Sequence, residues 1–179
     1  SISDEYFEST GDCADGSGII DIIFGEEKTT PYFRDTSRLD FRIYTPEFMD
    51  MIRKVTGEGR SVFMSGAYVG SDLLAGNDST VLKFAEETLH FIPRTGHAVR
   101  TGKVYATDYA RPHFEGSFSF NTGFSPSVYT VEAPDAIEPA GKGAVCSFRY
   151  SENNSSAGVA YRGGYNNVIT GFPFESIPD

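Results

Sequence analysis

The stretch VFMSGAY, residues 62–68, decides the fold of this chain. Its first three residues are apolar and predict a short buried strand, and Gly66 then allows a tight turn. Residues 71–75 follow and can start a helix. A strand, a glycine turn and a helix in this order are typical of an α/β sheet, so we predict that Ser65 lies at the carboxyl end of a central strand.

The same segment has the layout of a nucleophile elbow, in which a side chain at the strand end faces backbone N–H groups at a helix N-terminus. Ser65 is then a candidate nucleophile, and His97 or His113 is its candidate base. The amides of Gly66 and Ala67 are the candidate oxyanion donors. Because the first glycine of the G-x-S-x-G pattern is missing, a strand end that needs small residues for close packing stays the structural alternative.

Four residues are candidate ligand contacts whether or not the serine reacts. Gly66, Ala67 and Tyr68 lie in the turn after the predicted strand, and His113 lies in a predicted loop. Ligands of open α/β sheets bind outside the carboxyl ends of the strands, so these residues are expected to face a cleft.

Upstream of this segment the chain shows three different patterns. Residues 1–16 are polar and acidic and are expected to be irregular. Ile19 to Gly25 form a near-continuous apolar run, which predicts a strand buried on both faces. Residues 26–45 are charged and polar and predict a long connection.

Two longer helices are predicted on either side of the elbow. Thr45 as N-cap and Pro46 at the first helical position open a helix that ends at Gly57. The second helix covers roughly residues 79–90, and His90 is interpreted as its cap or as a surface residue.

After residue 90 the pattern changes to short strands separated by Gly, Pro and Asn turn signals. The predicted strands are residues 99–107, 116–121, 128–132, 144–150, 157–161 and 168–172. We therefore expect a single α/β domain over residues 1–179, with a mixed sheet and β-hairpins added in the second half.

The composition excludes several classes of partner. The chain has 179 residues, with 15 Lys and Arg against 25 Asp and Glu, and a formal net charge of −10. This charge argues against nucleic acid and anionic membranes as partners. No apolar run is long enough for a transmembrane helix, and no clustered Cys and His spacing or P-loop indicates a metal or a nucleotide cofactor.

Two further patterns allow a functional and a structural interpretation. Asp135 and Glu138 could act as a pair of carboxylates on a glycosidic bond, but a solvated acidic surface is the simpler interpretation. The second half also contains many aromatic residues in its predicted strands. Most are expected in the core, and an exposed subset would form a platform that stacks on sugar rings.

Three segments are similar to a known family. They are VFMSGAYVGSDLL at 62–74, YTVEAPDAIEP at 129–139 and FRYSENNSSAGVAYRGGYNNVITGFPFESI at 148–177. They resemble secreted bacterial proteins, often labelled xanthan lyase-like or golvesin-like, that carry a domain similar to the class I glutamine amidotransferases. The resemblance covers most of residues 17–177. It implies a three-layer, flavodoxin-like α/β fold and a secreted, periplasmic or cell-surface location.

The resemblance also implies where catalytic residues would stand. Active amidotransferases carry a Cys at the elbow and end a late strand in Phe-His-Pro-Glu. Here the elbow position matches Ser65, and Glu175 of the late segment Phe172-Pro173-Phe174-Glu175 matches the last motif residue. Because the Cys is replaced and the His is missing, we expect no glutaminase activity.

The leading hypothesis is a non-catalytic accessory or binding domain of a secreted, polysaccharide-related protein, with carbohydrate or other domains of the same polypeptide as its partner. The first alternative is a serine hydrolase with Ser65, His97 and Glu175 as candidate catalytic residues. The second is an assembly domain whose exposed sheet edge pairs with another chain. The chain starts at Ser1, and nothing before Ile19 predicts the first strand of a flavodoxin-like sheet, so we expect a fragment of a larger protein.

Overall fold

The computed structural model describes residues 18–75, 78–114 and 116–178, and the irregular segment predicted for residues 1–16 lies outside them. In chain order the strands are β1 (Ile19–Gly25), β2 (Thr30–Tyr32), β3 (Asp35–Phe41), β4 (Ser61–Gly66), β5 (Phe91–Thr95), β6 (Lys103–Ala106), β7 (Ser117–Ser119), β8 (Ala136–Pro139), β9 (Ala144–Tyr150), β10 (Ser156–Arg162) and β11 (Asn166–Thr170). The α-helices are α1 (Pro46–Gly57), α2 (Ser71–Ala75) and α3 (Ser79–Phe84). A π-helical turn (Ala85–Leu89) continues α3, and a 3₁₀ turn (Phe174–Ser176) follows β11.

Seven of the strands form one mixed sheet in the order β1-β4-β11-β10-β9-β6-β7. β1, β4 and β11 run parallel, and Ser65 of β4 is paired with Ile23 on one side and Thr170 on the other. The remaining pairs of the sheet are antiparallel. The predicted α/β class with a mixed sheet is therefore confirmed. Two separate antiparallel pairs, β2–β3 and β5–β8, stand outside this sheet.

Hydrophobic clusters cover both faces of the sheet. Met64 of β4 packs in the first cluster with Ile52 of α1 and Phe84 of α3. Its neighbour Phe63 meets Phe174, with 5.3 Å between the ring centroids, beside the second cluster. Because successive side chains of a strand point to opposite faces, the two clusters lie on opposite sides of β4. The buried members of the second cluster include no α-helical residue among those described.

The helix predicted from Thr45 to Gly57 is confirmed. The Thr45 hydroxyl accepts a hydrogen bond from the N–H of Phe48 at 3.1 Å, and Pro46 occupies the first turn. This cap satisfies one of the backbone donors that a helix start leaves without a partner. No helix in the part of the chain that the structure describes is long and apolar enough to cross a membrane.

Two expectations for the first half are wrong. β1 is not buried on both faces, because it lies at the edge of the sheet, and Ile19 and Ile23 are 65% and 56% exposed. The predicted connection over residues 26–45 contains the hairpin β2–β3. Polar residues dominate this hairpin, so its sequence lacks the apolar alternation by which a strand is recognised.

The second half also differs in part from its prediction. The predicted helix over residues 79–90 is divided into α3 and the π-helical turn, and His90 ends it in the left-handed conformation at φ 62°. Residues 128–132 form no strand, whereas β5 and β8 pair with each other. β8 was interpreted as part of an acidic surface, but its first two residues are buried.

Candidate functional site

Ser65 is the penultimate residue of β4, at the end of the strand that the sequence predicts. Because β1, β4 and β11 are parallel, their carboxyl ends meet at the same edge of the sheet, which is where such sheets bind ligands. The Ser65 side chain, however, is completely buried, and its hydroxyl has no hydrogen-bond partner. No base is therefore hydrogen-bonded to this hydroxyl.

The turn after Ser65 is packed against the end of β1. A Cβ atom on Gly66 would lie 2.9 Å from the Cβ of Phe24, so only glycine fits there without a shift. The N–H of Ala67 donates to the carbonyl of Gly25 at 2.8 Å, and Ala67 is completely buried. This amide already has an acceptor, so it is not a free oxyanion donor in this conformation.

The histidines do not form a triad with Ser65. His97 is exposed and takes the left-handed conformation at φ 50°. His113 is exposed in a turn, where its own N–H donates to the carbonyl of Ala110. His90 lies against Tyr161, with 3.5 Å between the ring centroids.

Tyr68 is the one residue of the turn whose side chain is partly accessible. The Nζ atom of Lys28 lies 4.8 Å from the centroid of its ring, at a distance typical of a cation–π contact. The Tyr68 face is therefore already occupied by a cation from the connection that follows β1.

Glu175 is bound to a tyrosine that the sequence analysis did not assign to a site. Its Oε1 atom accepts a hydrogen bond from the Tyr129 hydroxyl at 2.6 Å. Gly25 packs directly against this contact, because a Cβ atom at position 25 would lie 3.3 Å from the Tyr129 hydroxyl oxygen and 3.3 Å from Glu175 Oε1. Burial, followed by the bond to Glu175, raises the pKa of the Tyr129 hydroxyl far above its ordinary value. Tyr129 is therefore a neutral, fixed ring, still 42% exposed.

An open cleft of about 560 Å³ is lined in part by the residues that follow Tyr129 in the chain. It is lined by His97, Val99, Arg100, Thr122, Thr130, Val131 and Glu132. Thr130, Val131 and Glu132 follow Tyr129 directly in the chain, and Tyr129 itself is not a lining residue. Hydroxyl, guanidinium, imidazole and carboxylate groups alternate here with two small apolar side chains, a lining that suits a polar organic ligand.

The walls of the cleft are held in place by hydrogen bonds from outside it. The N–H of Ala98 donates to the carbonyl of Pro134 at 2.7 Å, which joins the two longest lining segments. One Glu152 oxygen accepts from the N–H groups of Arg100 and Thr101, at 3.0 and 2.8 Å. These bonds, foremost those from Thr101, lower the pKa of Glu152. The backbone at Arg100 is therefore fixed by an ionised carboxylate.

Asp135 corrects the interpretation of residues 135–138 as a solvated surface. It is completely buried, and its Oδ2 atom accepts from the N–H groups of Gly70 and Ser71, at 2.7 and 2.6 Å. Its Oδ1 atom has no partner. Burial is the largest influence and raises the pKa of this carboxyl to about 7. The apolar neighbours of Asp135 in the sequence were the signal that could have indicated its burial.

In comparisons with family models, curated proteins and solved structures, nothing matched this chain. Among residues 18–75, 78–114 and 116–178, no three His, Cys, Asp or Glu side chains are grouped so that they could hold a metal ion. The geometry of the described residues is therefore the basis for the function proposed below.

Proposed function

We propose that this chain is a non-catalytic carbohydrate-binding domain and that its ligand lies in the cleft beside Tyr129. The observation that carries the proposal is the bond between Tyr129 and Glu175, which holds a partly exposed aromatic ring next in the chain to the segment that lines a polar cleft. A ring that is already fixed loses little side-chain entropy when a flat ligand face stacks on it.

The cleft supplies the groups that recognise a sugar. The Thr122 hydroxyl can donate and accept, as sugar hydroxyls do, and the Arg100 side chain adds several donors. The Thr130 hydroxyl donates to the carbonyl of Gly123 at 2.8 Å and can still accept a hydrogen bond from a ligand. Val99 and Val131 are almost completely buried and add only a small apolar area to the lining. Because the chain carries a net charge of −10, a neutral oligosaccharide is favoured over a polyanion.

The environment of Ser65 supports a non-catalytic role. A serine hydrolase needs an accessible hydroxyl, a hydrogen-bonded base and free oxyanion donors. Ser65 is completely buried without a partner, and the N–H of Ala67 is engaged by Gly25. The hydrolase alternative would require the 65–68 turn to leave its packing against β1.

We also propose that the domain is an amidotransferase-like variant of the flavodoxin-like fold, in a secreted and polysaccharide-related protein. The parallel strands β1, β4 and β11, with Ser65 and a glycine turn at their carboxyl edge, support this relation. Two of the segments that resemble the family, residues 62–74 and 129–139, contain this elbow and the chain from Tyr129 to Pro139.

Affinity electrophoresis tests the proposed function. The chain is run through gels that contain neutral glucan, mannan or xylan, and through gels that contain anionic polysaccharides. We expect retardation by at least one neutral polymer, which Arg100→Ala reduces and Arg111→Ala leaves unchanged. Arg111 is the control because it is exposed outside the cleft, where it pairs with Asp108 at 2.9 Å. Equal migration in every gel would contradict the proposal.

A further inference from the structure

The two ends of the seven-stranded sheet differ in a way that indicates a second binding surface. At one end lies β7, which has only three residues. At the other end lies β1, with seven residues, and none of the described strands pairs with its outer edge. Natural sheets protect their edges by short strands, charges or proline; the β7 end is short, whereas β1 is long and carries a single charge, Asp21.

Along this outer edge, the backbone of β1 carries N–H and C=O groups with which no described strand pairs. The N–H of Ser61 donates to the carbonyl of Gly18 at 2.9 Å, so Gly18 faces β4. Backbone groups alternate between the two edges of a strand, and the N–H and C=O groups of Ile19, Asp21 and Ile23 therefore point away from β4. Three consecutive donor and acceptor pairs are available to another strand.

The side chains of the same three residues are exposed on one face of β1. Ile19 and Ile23 are 65% and 56% exposed, and Asp21 lies between them and is also exposed. Along this face of β1, an apolar, an acidic and an apolar side chain therefore follow one another at every second position. A strand added here would place its own side chains beside these three, in the cross-strand positions where opposite charges stabilise a pair and like charges destabilise it.

We propose that the outer edge of β1 binds an extended segment of a partner protein that presents apolar, basic and apolar side chains at alternate positions. Main-chain hydrogen bonds to Ile19, Asp21 and Ile23 supply the attachment, as in other cases of strand addition. The basic side chain pairs with Asp21, and the apolar ones cover the two isoleucines. The net charge of −10 also favours a basic partner.

The charge of Asp21 argues against a second copy of this chain as the occupant. Two β1 strands that pair antiparallel over Ile19 to Ile23 would bring the two Asp21 carboxylates opposite each other. Like charges in that position destabilise the pair.

NMR titration of the ¹⁵N-labelled chain tests this proposal. The probe is the capped peptide Thr-Val-Thr-Lys-Thr-Val-Thr, and its counterpart carries Glu in place of Lys. We expect chemical-shift changes concentrated at the amides of residues 18–24, and a Kd for the Lys peptide roughly fivefold lower than for the Glu peptide. Asp21→Lys should reverse this preference. Asp50→Lys, the same charge change on the exposed face of α1, should keep it.

Three results would overturn the proposal: no shifts at residues 18–24 with millimolar Lys peptide, equal affinity for both peptides, or a concentration-dependent dimer in the absence of peptide. The test is independent of the carbohydrate cleft, because Arg100→Ala, a change in the lining of the cleft, should leave peptide binding unchanged. Loss of sugar binding with intact peptide binding, or the reverse, therefore shows which of the two proposals fails.

Discussion

The hydroxyl of Tyr129 donates to the Glu175 carboxylate at 2.6 Å and joins the segment that lines the cleft to the 3₁₀ turn after β11. Through this bond, Glu175 holds an aromatic ring, and it makes no hydrogen bond with the hydroxyl of Ser65.

Tyr129→Phe removes the hydroxyl and keeps the ring. We expect a loss of about 1 kcal/mol in the free energy of unfolding, since one hydrogen bond to an exposed carboxylate is removed. Glu175→Gln should cost less, because the amide oxygen still accepts from Tyr129. Urea denaturation of both variants measures the difference. A larger loss for Glu175→Gln than for Tyr129→Phe would show that Glu175 acts through some other contact.

Asp135→Asn should flatten the pH dependence of stability. Burial raises the pKa of Asp135 from 3.8 to about 7, so between these values the native chain keeps a proton that the unfolded chain releases. The free energy of unfolding then falls as the pH rises from about 4 to about 7, by up to about 4 kcal/mol from this group. The amide oxygen of Asn can still accept from Gly70 and Ser71.

Denaturation curves of wild type and Asp135→Asn at several pH values isolate this contribution. The difference between the two proteins should change most between pH 4 and pH 7, with the variant gaining relative to wild type as the pH rises. A constant difference across that range would mean that Asp135 titrates at its ordinary pKa despite its burial.

Ser65→Ala should leave the fold intact, with a change in the free energy of unfolding within about 0.5 kcal/mol. The hydroxyl is buried without a partner, so its removal breaks no hydrogen bond and relieves a desolvated polar atom. A fluorophosphonate probe with intact-mass readout should not label the wild type. Stoichiometric labelling that disappears in Ser65→Ala would support the hydrolase instead.

Gly66→Ala should destabilise the domain by about 1–3 kcal/mol. The added Cβ would lie 2.9 Å from the Phe24 Cβ and 3.1 Å from the Val69 Cγ1, in a packed turn. Gly57→Ala is the control, because a Cβ at that helix end meets nothing within 4 Å. Thermal unfolding compares them, and equal melting temperatures would show that the turn after β4 has room to move.

The sequence predicted the elements whose signals are local. The Thr45-Pro46 helix start and the strand that ends in Ser65 depend on neighbouring residues, and both are found. The prediction that β1 is buried on both faces was wrong, because an apolar run looks the same whether a strand lies inside a sheet or at its edge.

The candidate site was harder to predict from the sequence, because contacts between residues far apart in the chain form it. Tyr129 and Glu175 are 46 positions apart, and Asp135 binds amides about 65 positions away. No spacing rule connects such residues. Ser65, His97 and Glu175 were predicted together because their side chains have the chemistry of a catalytic triad. In the folded chain, Ser65 is buried in the core and Glu175 contacts Tyr129 instead.

Isothermal titration calorimetry with the polysaccharide that retards the wild type most is the most direct test of the central claim. Tyr129→Ala should weaken binding about tenfold or more, as expected when a central aromatic contact is truncated. Tyr109→Ala, which removes a tyrosine of almost equal exposure from a turn that is not adjacent in the chain to any lining residue, should bind like the wild type. Circular dichroism confirms that both variants are folded. Equal affinities for Tyr129→Ala and wild type would contradict a carbohydrate site at this cleft.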